Sequence, residues 1–410
     1  MLSPTKTIRF IEDSCKATQL EISNKKLKRI LENDESTIRI DSIFNNKRVI
    51  KKMDSINIGR LQQIIEEMKQ LSNIKKQEFF LEFPKVEINI IETIKDKKLE
   101  LITIKEIIDM GIAINKEILL DKTVKSIQSF WEINNSKTKY IAENFDYSEK
   151  NTNIGFGIDL SIKDKTPSSV FISKIFFKKE DINIGAILEE IKEEMDICKD
   201  PIEFKGNAKE YNLFFSPYAL RQIVNYFVVQ QSSLESFEKK DSYLMHTEFD
   251  TKINICEDPF VDYSPYSEIM DLDFIATKKK HIIKNGKVLE YITNEQDAFK
   301  YKKEPSGNNL PGGVTNLFFE SGQKSKEELL YTGKILFINN LIGIHTTNSK
   351  EGSLNLSASG AEFENGKRIN ALKNIKLNEK IQDLWKKVEI SKETKWVGNY
   401  NLPYLLCLRN

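Results

Sequence analysis

The chain has 410 residues, more than one hydrophobic core usually holds, so its length predicts two domains. Its 62 Lys and Arg residues nearly balance its 61 Asp and Glu residues, which leaves no overall field to attract nucleic acid or an anionic membrane. No segment approaches about 18 uncharged apolar residues, and the four cysteines are dispersed without a CxxC pair. We therefore expect a cytoplasmic protein without a zinc knuckle or a disulfide framework, and no nucleic-acid or membrane partner.

The sequence pattern predicts an α+β fold with two domains. The first, residues 1–197, is an α/β domain with mixed or antiparallel strands and helices. β-biased runs fill 17–52, and alternating polarity fills 124–177, which predicts an antiparallel sheet. The pair Asn45-Asn46 is typical of a hairpin turn. Apolar residues at three- and four-residue steps predict helices in the same half. These helices are 3–17, 56–71, 101–120 and 181–196.

Residues 198–410 predict the second domain, a curved antiparallel β-sheet with a few helices. A polar stretch at 198–210 is the candidate linker between the domains. The strands that follow are short, and a helix near 377–387 interrupts the last of them. Asn-Gly pairs are typical of type I′ hairpin turns. The predicted turns of this kind are Asn285-Gly286 and Asn365-Gly366.

The second domain opens with a helix in the stretch FFSPYALRQIVNYFVVQQSS, residues 214–233. Ser216 is typical of an N-cap and Pro217 of the first helical position, because Ser accepts a bond from a free backbone amide and Pro has no amide to satisfy. Apolar residues then recur at helical spacing through Val228, which predicts a buried face. The helix carries no His, Asp or Glu and one charge, Arg221. It is either plain packing or a site that has lost its reactive groups.

Other patterns typical of catalysis are absent from the sequence. No GxSxG, Walker or GxGxxG pattern supports a serine hydrolase or a phosphate-binding loop. The histidines His246, His281 and His345 lie in separate segments, and none has another His or a Glu at helical spacing. The acidic stretch 255–274 lacks the spacing and the glycine of an EF-hand, which favours a solvated loop. We therefore expect no catalytic residues and no three side chains that converge on a metal.

Six stretches of the second half carry a resemblance when they are read in order. They are SPYALRQIVNYF, EDPF, DAFKYKKEPSGNN, GGVTNLFFESGQKSKEELL, GKILFINNLIGIHTTNSKEGSLNLSASGAEFENGKRI and LPYLLCLR. In these stretches the chain resembles the TldD/PmbA family, once called modulators of DNA gyrase and associated with peptide processing. The first half also resembles this family in the order of its strands, in the helix near 56–71 and in an FP pair at 83–84.

The resemblance distinguishes two kinds of family member. TldD-type subunits carry HExxxH on the helix that opens the second domain, where the histidines hold a metal and Glu can serve as general base. PmbA-type, or TldE-like, subunits lack this motif. The corresponding helix here offers Gln222, Asn225, Tyr226, Gln230 and Gln231 but no imidazole or carboxylate. The chain therefore resembles a PmbA/TldE-like subunit.

The resemblance implies a non-catalytic subunit of a metallopeptidase complex that degrades or matures unfolded peptides. The implied partner is a TldD-type homologue, or a second copy of this chain, and the two would enclose a proteolytic chamber. No cofactor is implied in this chain, whereas a transition metal such as zinc is expected in the TldD-type partner. An edge strand of the chamber wall would hold extended peptide substrate through its backbone.

Two alternatives to this function stay open. One is a stand-alone metallopeptidase whose atypical metal site gathers His246, His281 and His345. The other is a homodimeric peptide-binding protein without a protease partner. Small residues and Asn let a ligand backbone come close, although an ordinary turn is an equally good interpretation of such a segment. The substrate-cleft residues implied by the family resemblance are Ser306, Gly307, Asn308, His345, Thr346 and Asn348.

Overall fold

The structure is a computed structural model with two β-sheets, one in each half of the chain, and helices packed on both. This is the α+β arrangement that the sequence predicts. No helix within the described part of the chain is long and apolar enough to cross a membrane. The residues that the structure describes are 5, 7–54, 60–76, 82–83, 85–88, 90–310 and 313–409.

The first half forms a six-stranded sheet. Its strands are β1 (Ile8–Ser23), β2 (Lys26–Phe44), β3 (Lys47–Met53), β4 (Val124–Ala142), β5 (Phe145–Lys163) and β6 (Pro167–Phe176). Their order is β3-β2-β1-β4-β5-β6, and every neighbouring pair is antiparallel, as predicted. Residues 28–37 of β2 are exposed, so the long β1–β2 hairpin extends beyond the core. Asn45 and Asn46 both have positive φ and form the predicted turn between β2 and β3.

Four α-helices within the described residues accompany this sheet. They are α1 (Leu61–Ile74), α2 (Lys97–Glu100), α3 (Ile104–Ile118) and α4 (Ile184–Cys198). Helix α3 begins at a capping box, in which Thr103 Oγ1 accepts a bond from the Glu106 amide and the Glu106 carboxylate accepts one from the Thr103 amide. Helices α3 and α4 cover a core around Trp131, whose ring lies 4.7 Å from that of Phe156. The predicted helix 56–71 begins outside the described residues, and of the FP pair only Phe83 is described.

The predicted helix at 3–17 is wrong, because β1 occupies most of this range. Strand β1 lies between β2 and β4, and its first part is buried on both faces. Phe10 packs with one hydrophobic cluster and Ile11 with another, on opposite sides of the strand. A strand buried on both faces carries consecutive apolar residues, and its pattern is then hard to distinguish from that of a helix.

The second half forms an eleven-stranded sheet. Its strands are β7 (Ile202–Glu203), β8 (Asn212–Phe215), β9 (Ile255–Asp258), β10 (Lys280–Lys284), β11 (Lys287–Val288), β12 (Asn316–Phe319), β13 (Lys334–Ile342), β14 (Ser353–Glu364), β15 (Lys367–Lys380), β16 (Val388–Val397) and β17 (Tyr400–Cys407). Their order is β11-β10-β9-β12-β17-β8-β13-β14-β15-β7, and β16 pairs with β17. Most pairs are antiparallel as predicted, but β12–β17, β8–β13 and β7–β15 are parallel.

In the described part of the second half, five short α-helices connect these strands and pack with a large hydrophobic core. Trp385 is fully buried there, against the rings of Phe249 and Phe319. Asn285-Gly286 and Asn365-Gly366 have positive φ at both positions, as type I′ turns require. The helices are α5 (Pro217–Ile223), α6 (Leu234–Glu238), α7 (Glu295–Tyr301), α8 (Lys326–Leu330) and α9 (Ile381–Leu384).

The predicted helix at 377–387 is mostly wrong. Strand β15 continues to Lys380 beside β14, and only the single turn of α9 follows it. Leu377 and Ile381 are both buried, at a spacing that also fits a helix. The fourteen-residue strand is stabilised by pairing along β14, which local spacing does not show.

A buried cluster of ion pairs joins the two halves. Arg9 donates to Asp41 at 3.1 Å within the first half and to Glu295 at 2.9 Å in the second. Arg48 contacts Asp273 as well as Asp41. Three cations face three carboxylates, so the buried charges balance. The arginine cluster consists of Arg9, Arg39, Arg48, Asp41, Asp273 and Glu295.

Candidate functional site

The helix that opens the second half packs its apolar side into the core, as predicted. Ser216 Oγ accepts a bond from the amide of Ala219 at 3.2 Å, and Pro217 lies in the first turn. From Val224 to Val229 the helix widens into a π-helical segment. A π-helix bonds residues five apart along the chain, and such segments are frequent at functional sites.

The opposite side of this helix is polar but carries no metal ligand. Tyr218, Arg221, Gln222, Asn225 and Tyr226 are the partly exposed residues of this side. A catalytic metal needs about three protein ligands, usually imidazoles and carboxylates. The side chains of this helix therefore do not fit the metal site that TldD-type members are expected to hold at this position.

A cavity of about 410 Å³ lies beside this helix, between the two halves of the chain. Strand β6 and helix α4 line it from the first half, and α5, β13 and β14 line it from the second. We call this cavity the cleft. The lining residues that bear on its chemistry are Phe171, Glu194, Tyr218, Arg221, Asn339 and Asn340.

An irregularity in β13 positions Asn339 in the cleft. The pairing of β13 with β14 shifts by one residue between Ile338 and Asn340, as in a β-bulge. The amide of Ser216 donates to the Ile338 carbonyl at 3.0 Å, and Ser216 Oγ donates to the Asn339 carbonyl at 3.2 Å. A Cβ atom at Gly360 would lie 1.8 Å from the Phe337 carbonyl oxygen, so only glycine fits opposite the bulge.

Two polar groups of the cleft are buried without a hydrogen-bond partner among the described residues. They are the Nε–H of Arg221, a donor, and Oδ1 of Asn339, an acceptor. The guanidinium of Arg221 lies 5.3 Å from the ring of Tyr400, and Asn339 Nδ2 donates to Glu194 at 2.6 Å. Buried polar groups are usually paired, so an unpaired donor and acceptor in one cavity favour a bound polar ligand or water.

Helix α4 carries two buried carboxylates, Glu190 and Glu194, whose pKa values shift in opposite directions. Burial raises the pKa of Glu190, but Lys395 and Lys174 outweigh this effect and lower it to about 2. Lys395 Nζ and Tyr218 Oη both donate to Glu190, at 2.9 and 3.1 Å. For Glu194 burial dominates and its pKa is raised. Glu190 is therefore a fixed anion at neutral pH that orients Tyr218 at the cleft.

Strand β6 offers an open edge to the cleft. It is the last strand of the first sheet, and among the strands of the described residues only β5 pairs with it. Phe171 of this strand is 69% exposed although it is a large apolar residue. An edge strand presents unpaired backbone N–H and C=O groups that an added extended strand can pair.

The predicted residues Ser306, Gly307 and Asn308 lie in a buried polar network at another place. Lys280 Nζ donates to Asn308 Oδ1 at 2.6 Å, to the Ser306 carbonyl at 2.9 Å and to Glu257 at 2.8 Å. Gly307 has a φ of +72°, and a Cβ there would lie 2.4 Å from the Ala276 carbonyl oxygen. Ser306 and Asn308 are each 5% exposed, so this segment stabilises the fold, and any contact with substrate stays a prediction.

The predicted residues His345, Thr346 and Asn348 are exposed in two short 3-10 turns between β13 and β14. Asn348 caps the second turn, where its side chain accepts from the Glu351 amide at 3.4 Å. Ser349 accepts a bond from Gln231 at 3.0 Å, which ties these turns to the helix that opens the second half. The structure therefore brings this group near that helix but does not join it to the buried network of Asn308.

Three side chains of metal-ligating type lie close together elsewhere in the second half. Cys256, His281 and Glu320 place their donor atoms within 4.8 Å of one another. Within the described residues, His246 and His345 join no such group. The proposed triad of histidines is therefore not formed there, whereas a different trio is.

Comparison with known proteins supports a family assignment. Residues 208–409 match the family model described as the PmbA/TldA metallopeptidase C-terminal domain. The second half of the chain is a TldD/PmbA-family domain. The match begins shortly before β8 and includes the whole opening helix and every strand from β8 to β17.

Solved structures of the same fold cover nearly the whole chain. A candidate modulator of a DNA gyrase from Thermotoga maritima matches with a TM-score of 0.85 and 21% identity, over 98% of this chain and 94% of that one. One from Bacteroides thetaiotaomicron matches with a TM-score of 0.86 and 15% identity, over 99% and 94%. TldE from Thermococcus kodakarensis matches with a TM-score of 0.84 and 14% identity, over 98% and 95%. The TM-scores establish a shared fold, and at these low identities the likeness concerns the fold alone.

A relative in Methanocaldococcus jannaschii, the uncharacterized protein MJ0231, is 24% identical over 236 residues. The alignment covers 55% of this chain and 54% of MJ0231, so the match spans about half the length of each.

Several cleft residues carry no signal in the sequence. Glu190 and Glu194 look like ordinary charges of an amphipathic helix, and Phe171 looks like one apolar residue of a strand. Only the packing of α4 and β6 against the second half brings them to the helix at Tyr218. The Ser-Pro start of the helix was the one local signal for this region.

Proposed function

We propose that this chain is a PmbA/TldE-like, non-catalytic subunit of a TldD-type metallopeptidase complex that degrades or matures unfolded peptides. In this complex the chain completes the wall of the proteolytic chamber and holds extended substrate. The TldD-type partner supplies the HExxxH motif and its transition metal, such as zinc.

The observation that carries the proposal is the chemistry of the opening helix. This helix keeps its buried apolar face, its Ser216 cap and its π-helical segment, but its polar side offers only amides, phenols and Arg221. None of these groups is a usual ligand of zinc or a general base for hydrolysis. The helix therefore lacks the histidines and the glutamate that a TldD-type subunit is expected to carry at this position.

The cleft supports the substrate-holding part of the proposal. It combines an unpaired donor, Arg221 Nε–H, and an unpaired acceptor, Asn339 Oδ1, with the open edge of β6. A peptide backbone carries one donor and one acceptor per residue, and an edge strand binds it without reading the side chains. Exposed Phe171 adds apolar contact. These features suit extended peptides of varied sequence.

Reconstitution tests this function. Full-length chain, an HExxxH-bearing homologue from the same source and their mixture are each supplied with zinc and a labelled unfolded peptide. We expect one complex on size-exclusion chromatography, cleavage by the mixture and no cleavage by this chain alone.

Cleavage by the isolated chain would contradict the proposal and favour the stand-alone metallopeptidase. Failure of the two chains to associate would favour a homodimeric peptide-binding protein. If the isolated chain does cleave peptide, a Cys256→Ser variant tests the cause. Loss of cleavage in this variant would indicate an atypical metal site that includes the Cys256 thiol.

A further inference from the structure

Three adjacent strands at one end of the second sheet carry metal-binding side chains on one face. In β9 and β10, Cys256 lies directly opposite His281, and in β12 Phe318 lies opposite Cys256. Glu320 is two residues beyond Phe318, and its amide still bonds the Asn254 carbonyl at 2.9 Å. Because side chains alternate between the faces of a strand, Cys256, His281 and Glu320 share a face.

The opposite face of the same strands holds a different set of charges. Glu257 and Lys280 are a cross-strand pair, and their side chains form a fully buried ion pair at 2.8 Å. This pair belongs to the network of Asn308 described above. It fixes the register of β9 against β10 and therefore fixes Cys256 opposite His281.

The donor atoms of Cys256, His281 and Glu320 lie close together and are available to bind a ligand. The Cys256 sulfur, a ring nitrogen of His281 and a carboxylate oxygen of Glu320 all lie within 4.8 Å of one another. Within the described residues, these three side chains form no hydrogen bond or ion pair with any other group. Ligands of one tetrahedral zinc ion lie roughly 3.5 Å apart, since zinc–ligand bonds are about 2.0 to 2.3 Å. The donor atoms, all within 4.8 Å of one another, are therefore slightly further apart at most than this geometry requires.

We propose that Cys256, His281 and Glu320 form a binding site for zinc or a similar divalent transition metal. One thiolate, one imidazole and one carboxylate are a donor set that such ions prefer over calcium or magnesium. Three protein ligands leave the fourth tetrahedral position for water or another donor. This site lies on β9, β10 and the end of β12, not on the helix that opens the second half.

The surroundings suit a cation. A cavity of about 550 Å³ borders Cys256 and Glu320 and gives an ion access from solvent. Lys279 is paired with Asp258 at 2.7 Å, so its positive charge is offset next to the site. Lys392, on the far wall of the cavity, has Glu393 as its own carboxylate neighbour at 4.0 Å.

A thiol catalyst would arrange these residues differently. In a Cys–His–acid relay the acid orients the imidazole from the side opposite the thiol, so the acid and the thiol do not meet. Here all three donor atoms converge on one point. Burial also raises the pKa of the Cys256 thiol, and Glu320 raises it further, whereas a nucleophilic thiol has a lowered pKa.

Cobalt titration of the full chain tests the site without any peptide assay. Chelator-treated protein is titrated with Co²⁺, and thiolate-to-cobalt charge-transfer absorption reports sulfur coordination. We expect one equivalent of Co²⁺, displaced by Zn²⁺, and loss of the absorption in Cys256→Ser. His281→Gln and Glu320→Gln should weaken binding by at least about 10- to 100-fold. The controls Cys15→Ser and His345→Gln should bind as the unchanged chain does.

Absence of stoichiometric binding, or thiolate absorption that persists in Cys256→Ser, would overturn the site. Rapid alkylation of Cys256 at neutral pH by protein that binds no metal would favour a thiol catalyst instead. Glu320 is exposed, so Glu320→Gln keeps the test valid if replacement of buried Cys256 disturbs folding. Binding is measured on this chain alone, so its failure leaves the proposed subunit function untouched.

Discussion

Glu190 shows how one residue connects the halves around the cleft. It lies on α4, is 8% exposed, and accepts bonds from Lys174 on β6, Lys395 on β16 and Tyr218 on α5. Removal of one partner from a buried ion pair is costly, because the remaining charge loses its compensation. This carboxylate therefore stabilises the packing of three elements from both halves.

The low pKa of Glu190 predicts a pH dependence of stability. Its pKa is about 2 in the folded chain, below the ordinary value of 4.5, so its contribution is present above about pH 4.5 and is lost as the pH falls towards 2. The difference corresponds to about 3 kcal/mol. Glu190→Gln should lower the free energy of unfolding by about this amount near neutral pH and by much less near pH 2.

Urea denaturation across this pH range measures the effect. The matched control is Glu189→Gln, an exposed carboxylate on the same helix, which should behave as the unchanged chain does. A constant difference between Glu190→Gln and the unchanged chain at every pH would show that the carboxylate is not held in its ionised form.

At the scale of elements, the sequence predicts those whose signals are local. The Ser216-Pro217 start, the buried stripe to Val228 and the Asn-Gly hairpins all follow from residues close in sequence. The predictions failed at β1 and at the end of β15, where apolar spacing fits a helix but long-range pairing makes a strand. The π-helical segment after Ile223 has no sequence signal that we recognise.

For the candidate sites too, the sequence predicts the features that depend on neighbouring residues and not those that depend on long-range contacts. Sequence predicts the opening helix and its buried apolar face correctly, because both are properties of one segment. The cleft and the trio of Cys256, His281 and Glu320 bring together residues far apart in the chain. Their spacing in the sequence does not indicate a group, because pairing among β9, β10 and β12 determines their contact.

The open edge of β6 leads to a prediction about substrate. Phe171→Ala should weaken binding of a labelled unfolded peptide to the reconstituted pair by about tenfold, because an exposed aromatic anchor is worth about 1 to 2 kcal/mol. Fluorescence anisotropy measures the affinity. Tyr331→Ala is the control, since Tyr331 is 67% exposed and lies outside the cleft lining. Equal effects of the two substitutions on the affinity would show that Phe171 on β6 makes no specific contribution to peptide binding.

Across the molecule, two groups of buried ion pairs and hydrogen bonds hold the two halves together. The arginine cluster links β1, β2 and β3 to Asp273 and to α7 through Glu295, and Glu190 makes a second link at α4. The cleft lies where the halves meet, so its shape depends on their relative position. A chamber wall requires such a fixed arrangement, because extended peptide would span both halves.

The central claim is that this chain supports cleavage without performing it. The most direct measurement is peptide cleavage by a pair in which the Glu of HExxxH in the TldD-type partner is replaced by Gln, with this chain unchanged. We expect that the pair still assembles and binds peptide but that cleavage is lost completely. Cleavage that persists in this pair would contradict it, because the remaining activity would have to come from this chain.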